Sequence, residues 1–130
     1  MLNPTGMSVR RSDKWGEGRY GSSRGGHMHE GADYICEPGQ PVRAPIEGEI
    51  IREAKPYPES GYSGLLIQGK HMAIKMFYLE PFRDMIGKHV AQGDIIGIAQ
   101  DISKRYDKEM TPHIHLQIEH LDPEILTEMI

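Results

Sequence analysis

The stretch HIHLQIEHL, residues 113–121, alternates polar and apolar side chains. In an extended chain, successive side chains point to opposite sides. His113, His115 and Gln117 therefore share one face, and Ile114, Leu116 and Ile118 share the other. A helix would scatter both sets around its axis. The segment reads as a strand with one face turned to a core and the other free for chemistry. Shorter strand signals precede it. GADYIC, residues 31–36, is a strand running into the turn EPGQP. PVRAPIEGEIIREAKPY gives two strands around Glu47-Gly48, with Val42, Ala44 and Ile46 on one face. SGLLIQGKHMAIKMFYL is a hairpin that turns near Gly69-Lys70. HVAQGDIIGIAQ carries a strand around Ile95 to Ala99, and a short one is expected near Met7 to Arg10. Close spacing with Gly and Pro in the turns indicates an all-β domain.

Helical signals are few. EPFRDMIG has room for a turn or two, and ISKRYDKEM for a short helix in a long loop. In DPEILTEMI, Asp122 is a candidate N-cap with Pro123 at the first helical position. The 130 residues suit a single domain spanning 1–130, with residues 1–25 as an irregular Gly-, Ser- and Arg-rich approach. A net charge of −4 argues against a nucleic-acid partner, which needs a basic face; the basic cluster RRSDK at 10–14 reads as a solvated loop. No apolar run is long enough for a membrane span. MLNPTGMSVRR lacks the hydrophobic core of a signal peptide. An extracellular, periplasmic or virion-associated location would then require another delivery route. The lone Cys36 excludes an internal disulfide and a cysteine-rich zinc site, and reads as a small buried thiol.

Two stretches carry metal chemistry. HEGAD places His29 and Asp33 four residues apart, with Gly31 between them opposing a helix; on an extended segment both point the same way. His113 and His115 project from one strand face. Imidazole nitrogen and carboxylate oxygen are donors that zinc takes. Each half alone is better read as ordinary structure, His-x-His as two solvated histidines and His29 with Asp33 as a turn with a side-chain hydrogen bond. His27, His71, His89 and His120 lie outside these two stretches, and His120 reads as solvated. HEGAD lacks the second histidine of a helical His-Glu-x-x-His site.

Taken together, the motifs resemble those of the lysostaphin-type zinc endopeptidases, which cleave peptidoglycan peptides. HEGAD resembles the family's His-x-Gly-x-Asp. PGQPVRAPIEGEI resembles its Gly-x-x-Val-x-Ala-x-x-x-Gly, GYSGLLIQ its Gly-Tyr-Gly-Asn loop, and VAQGDIIG its Val-x-x-Gly-x-x-Ile-Gly. PHIHLQIE resembles Pro-His-Leu-His-Phe-Glu, and LDPEIL resembles Asp-Pro-x-x-Leu. The resemblance covers about Gly26 to Leu126 and implies an antiparallel barrel-sandwich with long loops. It implies zinc held by His29, Asp33 and His115, and His113 as a catalytic histidine beside it.

The departure is at Tyr78. The family has a second catalytic histidine in Tyr-x-His-Leu, where this chain has MFYL. A tyrosine hydroxyl can donate to an oxyanion, but it neither carries positive charge nor serves well as a base. EAKPYPESGYSGLLIQGKHMAIKMFYLEPF also resembles the leukocyte cell-derived chemotaxin branch, which has tyrosine at this position, keeps the zinc site and is regarded as non-peptidase. Most of that branch's cysteines are missing here, which points instead to a bacterial or bacteriophage branch. Two expectations follow. One is a zinc metalloendopeptidase acting on cell-wall peptidoglycan, phage-associated and with reduced or altered catalysis through His113 and Tyr78. The other is an inactive zinc-stabilised module that binds peptide or glycan, or a chemotaxin-like signalling protein.

Overall fold

The computed structural model describes residues 1–9, 23–24, 27–28, 31–58, 60–105 and 110–127. In chain order its strands are β1 (Ser23–Arg24), β2 (His27–Met28), β3 (Ala32–Ile35), β4 (Pro41–Arg43), β5 (Gly48–Glu53), β6 (Gly64–Gln68), β7 (Met72–Phe77), β8 (Leu79–Pro81), β9 (His89–Val90), β10 (Ile95–Ala99) and β11 (His113–Leu121). The main sheet has six strands in the order β3-β11-β7-β6-β5-β9. A second has three, β4-β10-β8, and β1 pairs with β2. Every pairing is antiparallel. The all-β antiparallel expectation holds. Among the described residues both larger sheets remain open at two edges, and the strands do not close into a barrel.

The hairpin β6–β7 forms where the alternation places it. The Gly69 N–H donates to the Met72 carbonyl at 2.8 Å and closes the turn. Leu65, Ile67, Ile74 and Met76 then point inward and are fully buried. With Ile50 and Ile114 of the main sheet, and Val42, Leu79 and Ile96 of or beside the smaller one, they form one hydrophobic cluster drawn from both sheets. Burial of such side chains is worth about 1.5–3 kcal/mol each before the entropy of ordering is counted. The expected strand near Met7 reduces to a single bridge between Val9 and Tyr34, and Arg10 and the 10–14 cluster lie outside the described residues.

Among the described residues the helical signals yield less than a full α-helix; residues 106–109 and 128–130 of these segments lie outside them. Residues 82–85 make one turn, with the Met85 N–H donating to the Phe82 carbonyl at 3.0 Å. Ile102–Lys104 and Pro123–Thr127 are 3-10 helices. Asp122 caps the second as expected: its Oδ1 accepts from the Glu124 N–H at 3.0 Å. Segments this short cannot offset the cost of nucleating an α-helix. Among the described residues no helix is long and apolar enough to cross a membrane.

Candidate functional site

Register across three strands builds the site. β11 lies between β3 and β7, and His115 is directly opposite Asp33 on one side and Phe77 on the other. Directly opposite residues on adjacent strands bring their side chains to the same face at close range. His115 Nδ1 consequently lies 2.8 Å from Asp33 Oδ1, and its ring stacks on Phe77 with centroids 5.9 Å apart. Two residues along the same face, His113 Nε2 lies 3.7 Å from Asp33 Oδ2. Asp33 and His113 are both buried. Gly31 is required by this packing. A Cβ there would sit 2.4 Å from the Leu116 carbonyl oxygen and 2.8 Å from His115 Cε1.

The two histidines are held in different ways. His113 Nδ1 lies 2.7 Å from the Thr111 carbonyl oxygen. A carbonyl only accepts, so Nδ1 carries a proton, and Nε2 is the nitrogen turned towards Asp33. His115 Nε2 faces Gln117 Oε1 at 2.8 Å. The ring edge of Tyr78 meets His113 at 90° with centroids 5.3 Å apart, and the Tyr78 hydroxyl lies 3.3 Å from that of Tyr57. Tyr62 packs edge-on against both tyrosines and donates its hydroxyl to the Asp101 carbonyl at 2.8 Å. Burial first, and the Asp101 carboxylate second, push the Tyr62 phenol up, which keeps it a donor. The Arg105 guanidinium lies over the Tyr57 ring, 3.7 Å from its centroid.

Of the residues singled out from sequence, Asp33, His113, His115 and Tyr78 come together. His29 lies outside the described residues. Among the described residues no group of three or more His, Cys, Asp or Glu forms a metal cage. His89 and His120 are exposed away from the row. His71 sits in the β6–β7 turn with Nδ1 3.7 Å from Asp122 Oδ2. Cys36 is buried, and desolvation pushes its thiol up to about 12, so it is inert as a nucleophile. Phe77, Tyr57 and Tyr62 were not singled out as site residues. Phe77 is opposite His115 only once the β7–β11 register is known, and the two tyrosines come from the loop between β5 and β6. Gln117 had a signal, its place on the histidine face of β11.

The sequence model of peptidase family M23 matches residues 27–125. Leukocyte cell-derived chemotaxin-2 of Bos taurus is 32% identical over 111 residues, which cover 84% of this chain and 72% of the bovine protein. The catalytic domain of the antimicrobial peptidase lysostaphin from Staphylococcus simulans superposes with a TM-score of 0.56 at 24% identity, over 86% of this chain and 88% of that one. A zinc containing peptidase from Vibrio cholerae gives a TM-score of 0.60 at 21% identity, over 88% of this chain and 35% of that longer one. The two structures speak for the fold alone. The family match spans well over half of the sequence and includes the whole Asp33–His115 row, and on that ground the chain belongs to peptidase family M23.

Proposed function

We propose that this chain is a zinc-dependent metalloendopeptidase domain acting on peptidoglycan peptides, with catalysis slowed by Tyr78. The observation that carries the reading is the convergence of Asp33 Oδ1 and His115 Nδ1 at 2.8 Å, with His113 Nε2 beside them. A carboxylate oxygen and an imidazole nitrogen fit zinc as a donor set. Asp33 and His115 would hold the metal, with His29 as the third ligand. When bound, zinc supplies Lewis acidity that polarises a carbonyl and acidifies water. His113 does the proton work. With its Nδ1–H tied to Thr111, Nε2 takes a proton from the attacking water and returns it to the leaving amine. Tyr78, packed against His113, supplies a hydroxyl to the oxyanion where a histidine would supply a cation. The wall-peptide substrate is carried over from the family motifs in HEGAD and PHIHLQIE.

A second reading is a peptide- or glycan-binding module that does not cut. It is favoured by the tyrosine at 78 and by the similarity to chemotaxin-2. The deciding experiment is release of new amino groups from purified peptidoglycan by zinc-supplied protein. Slow release above a metal-stripped control, abolished by His113→Ala, is the expected result. Binding to peptidoglycan with no release assigns the chain to the second reading.

A further inference from the structure

Gln100 follows β10 of the smaller sheet, and its side chain reaches the loop that enters β6 of the main one. Its amide makes two bonds there. Oε1 accepts from the Ser63 N–H at 2.9 Å, and Nε2 donates to the Gly61 carbonyl at 2.8 Å. The orientation of the amide is settled, because a backbone N–H only donates and a backbone carbonyl only accepts. Those two groups flank Tyr62, whose ring packs edge-on against Tyr78 with centroids 6.3 Å apart. The backbone of Tyr78 joins the same network. Its N–H donates to the Ser63 carbonyl and its carbonyl accepts from the Gln100 N–H, both at 2.8 Å. Tyr78, Ser63 and Gln100 therefore form a closed cycle of three hydrogen bonds, at the point where the chain passes from one sheet to the other.

We infer that Gln100 is a positioning residue: by clamping the loop on both sides of Tyr62 it holds the Tyr78 kink and sets the Tyr78 ring against His113. Tyr78 has a φ of 75°, in the left-handed region. A bulky residue persists there only when its surroundings over-determine it. The cycle does this by holding both polar groups of the Tyr78 backbone. The fit is specific to glutamine, since the place calls for one donor and one acceptor on a side chain of that length. Glutamate would turn a carboxylate oxygen on the Gly61 carbonyl, and methionine would keep neither bond. Ser63 is anchored a second time, its Oγ donating to Glu53 Oε2 at 2.7 Å, so loss of the amide should shift the loop rather than unfold it. Gln100 touches no reacting atom. The catalytic consequence rests on the function proposed above, whereas the clamp on Tyr78 does not.

The test uses Gln100→Met and Gln100→Glu in the full chain. The first readout is the nuclear Overhauser contact between the rings of Tyr78 and His113, whose centroids are 5.3 Å apart. It is expected in wild type and should weaken in both variants while far-ultraviolet dichroism stays unchanged. Should Gln100→Met fail to fold, Gln100→Glu, which keeps the acceptor for Ser63, carries the same reading. The second readout is amine release from soluble peptidoglycan fragments. Both variants should lower kcat about tenfold with KM little changed, short of the roughly hundredfold loss set by removing the Tyr78 hydroxyl. In a Tyr78→Phe background Gln100→Met should cost little more, because the group it positions is already gone. A ring contact unchanged in both variants, or a rate loss that simply adds to that of Tyr78→Phe, overturns the inference. A wild type that releases no amines, while the variants lose the ring contact, overturns the proposed catalysis alone and leaves the clamp standing.

Discussion

Tyr78 is a non-glycine residue at a φ of 75°, a left-handed conformation that bulky side chains rarely adopt. Holding it costs on the order of 1–3 kcal/mol. The cause is visible in the connections. Phe77 ends a strand of the main sheet, Leu79 begins one of the smaller sheet, and Tyr78 alone turns the chain between them. Its N–H donates to the Ser63 carbonyl and its carbonyl accepts from the Gln100 N–H, both at 2.8 Å, so neighbouring loops fix the kink. Sequence motifs marked this position as a replaced histidine, whereas the backbone conformation had no signal, because nothing in MFYL forces φ positive. The proposed role of the hydroxyl makes Tyr78→Phe the informative change. The ring contact with His113 and the kink remain, and one oxyanion donor is lost. Amine release from peptidoglycan should fall about a hundredfold with little change in melting temperature. An unchanged rate would restrict Tyr78 to packing against His113.

At the scale of elements, alternation carried most of the information. Strands β3, β6, β7, β10 and β11 fall where period-2 patterns and Gly/Pro turns put them. The split of β11 into a core face with Ile114 and Leu116 and a chemical face with His113 and His115 was legible from nine residues. Pairing was not. Asp33 and His115 are 82 positions apart, and only the β3–β11 register brings them opposite. Ile118 was expected on the apolar face and lies opposite the buried Ile74, but it is 51% exposed, because β3 pairs with β11 only as far as Leu116 and leaves the other flank of Ile118 uncovered among the described residues. The register also explains why the motif needs glycine at 31. Gly31→Ala would drive a Cβ into the Leu116 carbonyl, which is backbone and cannot swing aside. We expect this variant to lose about 1–3 kcal/mol of stability, read from denaturant unfolding. Wild-type stability in Gly31→Ala would mean that β3 is held further from β11 than this packing requires.

At the scale of the whole molecule, the site lies at one side of the main sheet, on β3, β11 and β7. Among the described residues β3 is the four-residue outer strand of the sheet, touched on its far side by the Val9–Tyr34 bridge, and β11 is flanked on both sides. An outer strand of this length gains little from its ladder alone, so cross-strand contacts at Asp33 and His115 matter for holding it. A metal held by both residues, as proposed, would bind the folded chain and have no preformed site in the unfolded one. Its free energy of binding would then appear as folding stability. At zinc concentrations about a hundredfold above the dissociation constant this amounts to about 2.7 kcal/mol. For a domain of this size that corresponds to roughly a 10 °C rise in melting temperature. Chelation should lower the melting temperature by that amount, zinc should restore it, and Asp33→Ala should abolish the response. The measurement does not depend on turnover, so it separates the metal from the catalysis. A cutting enzyme and a non-cutting module should both show the shift, and amine release then tells them apart. A melting temperature indifferent to both chelator and zinc would remove the metal from either reading, and His113 would be left without the Lewis acid its proton transfer is proposed to serve.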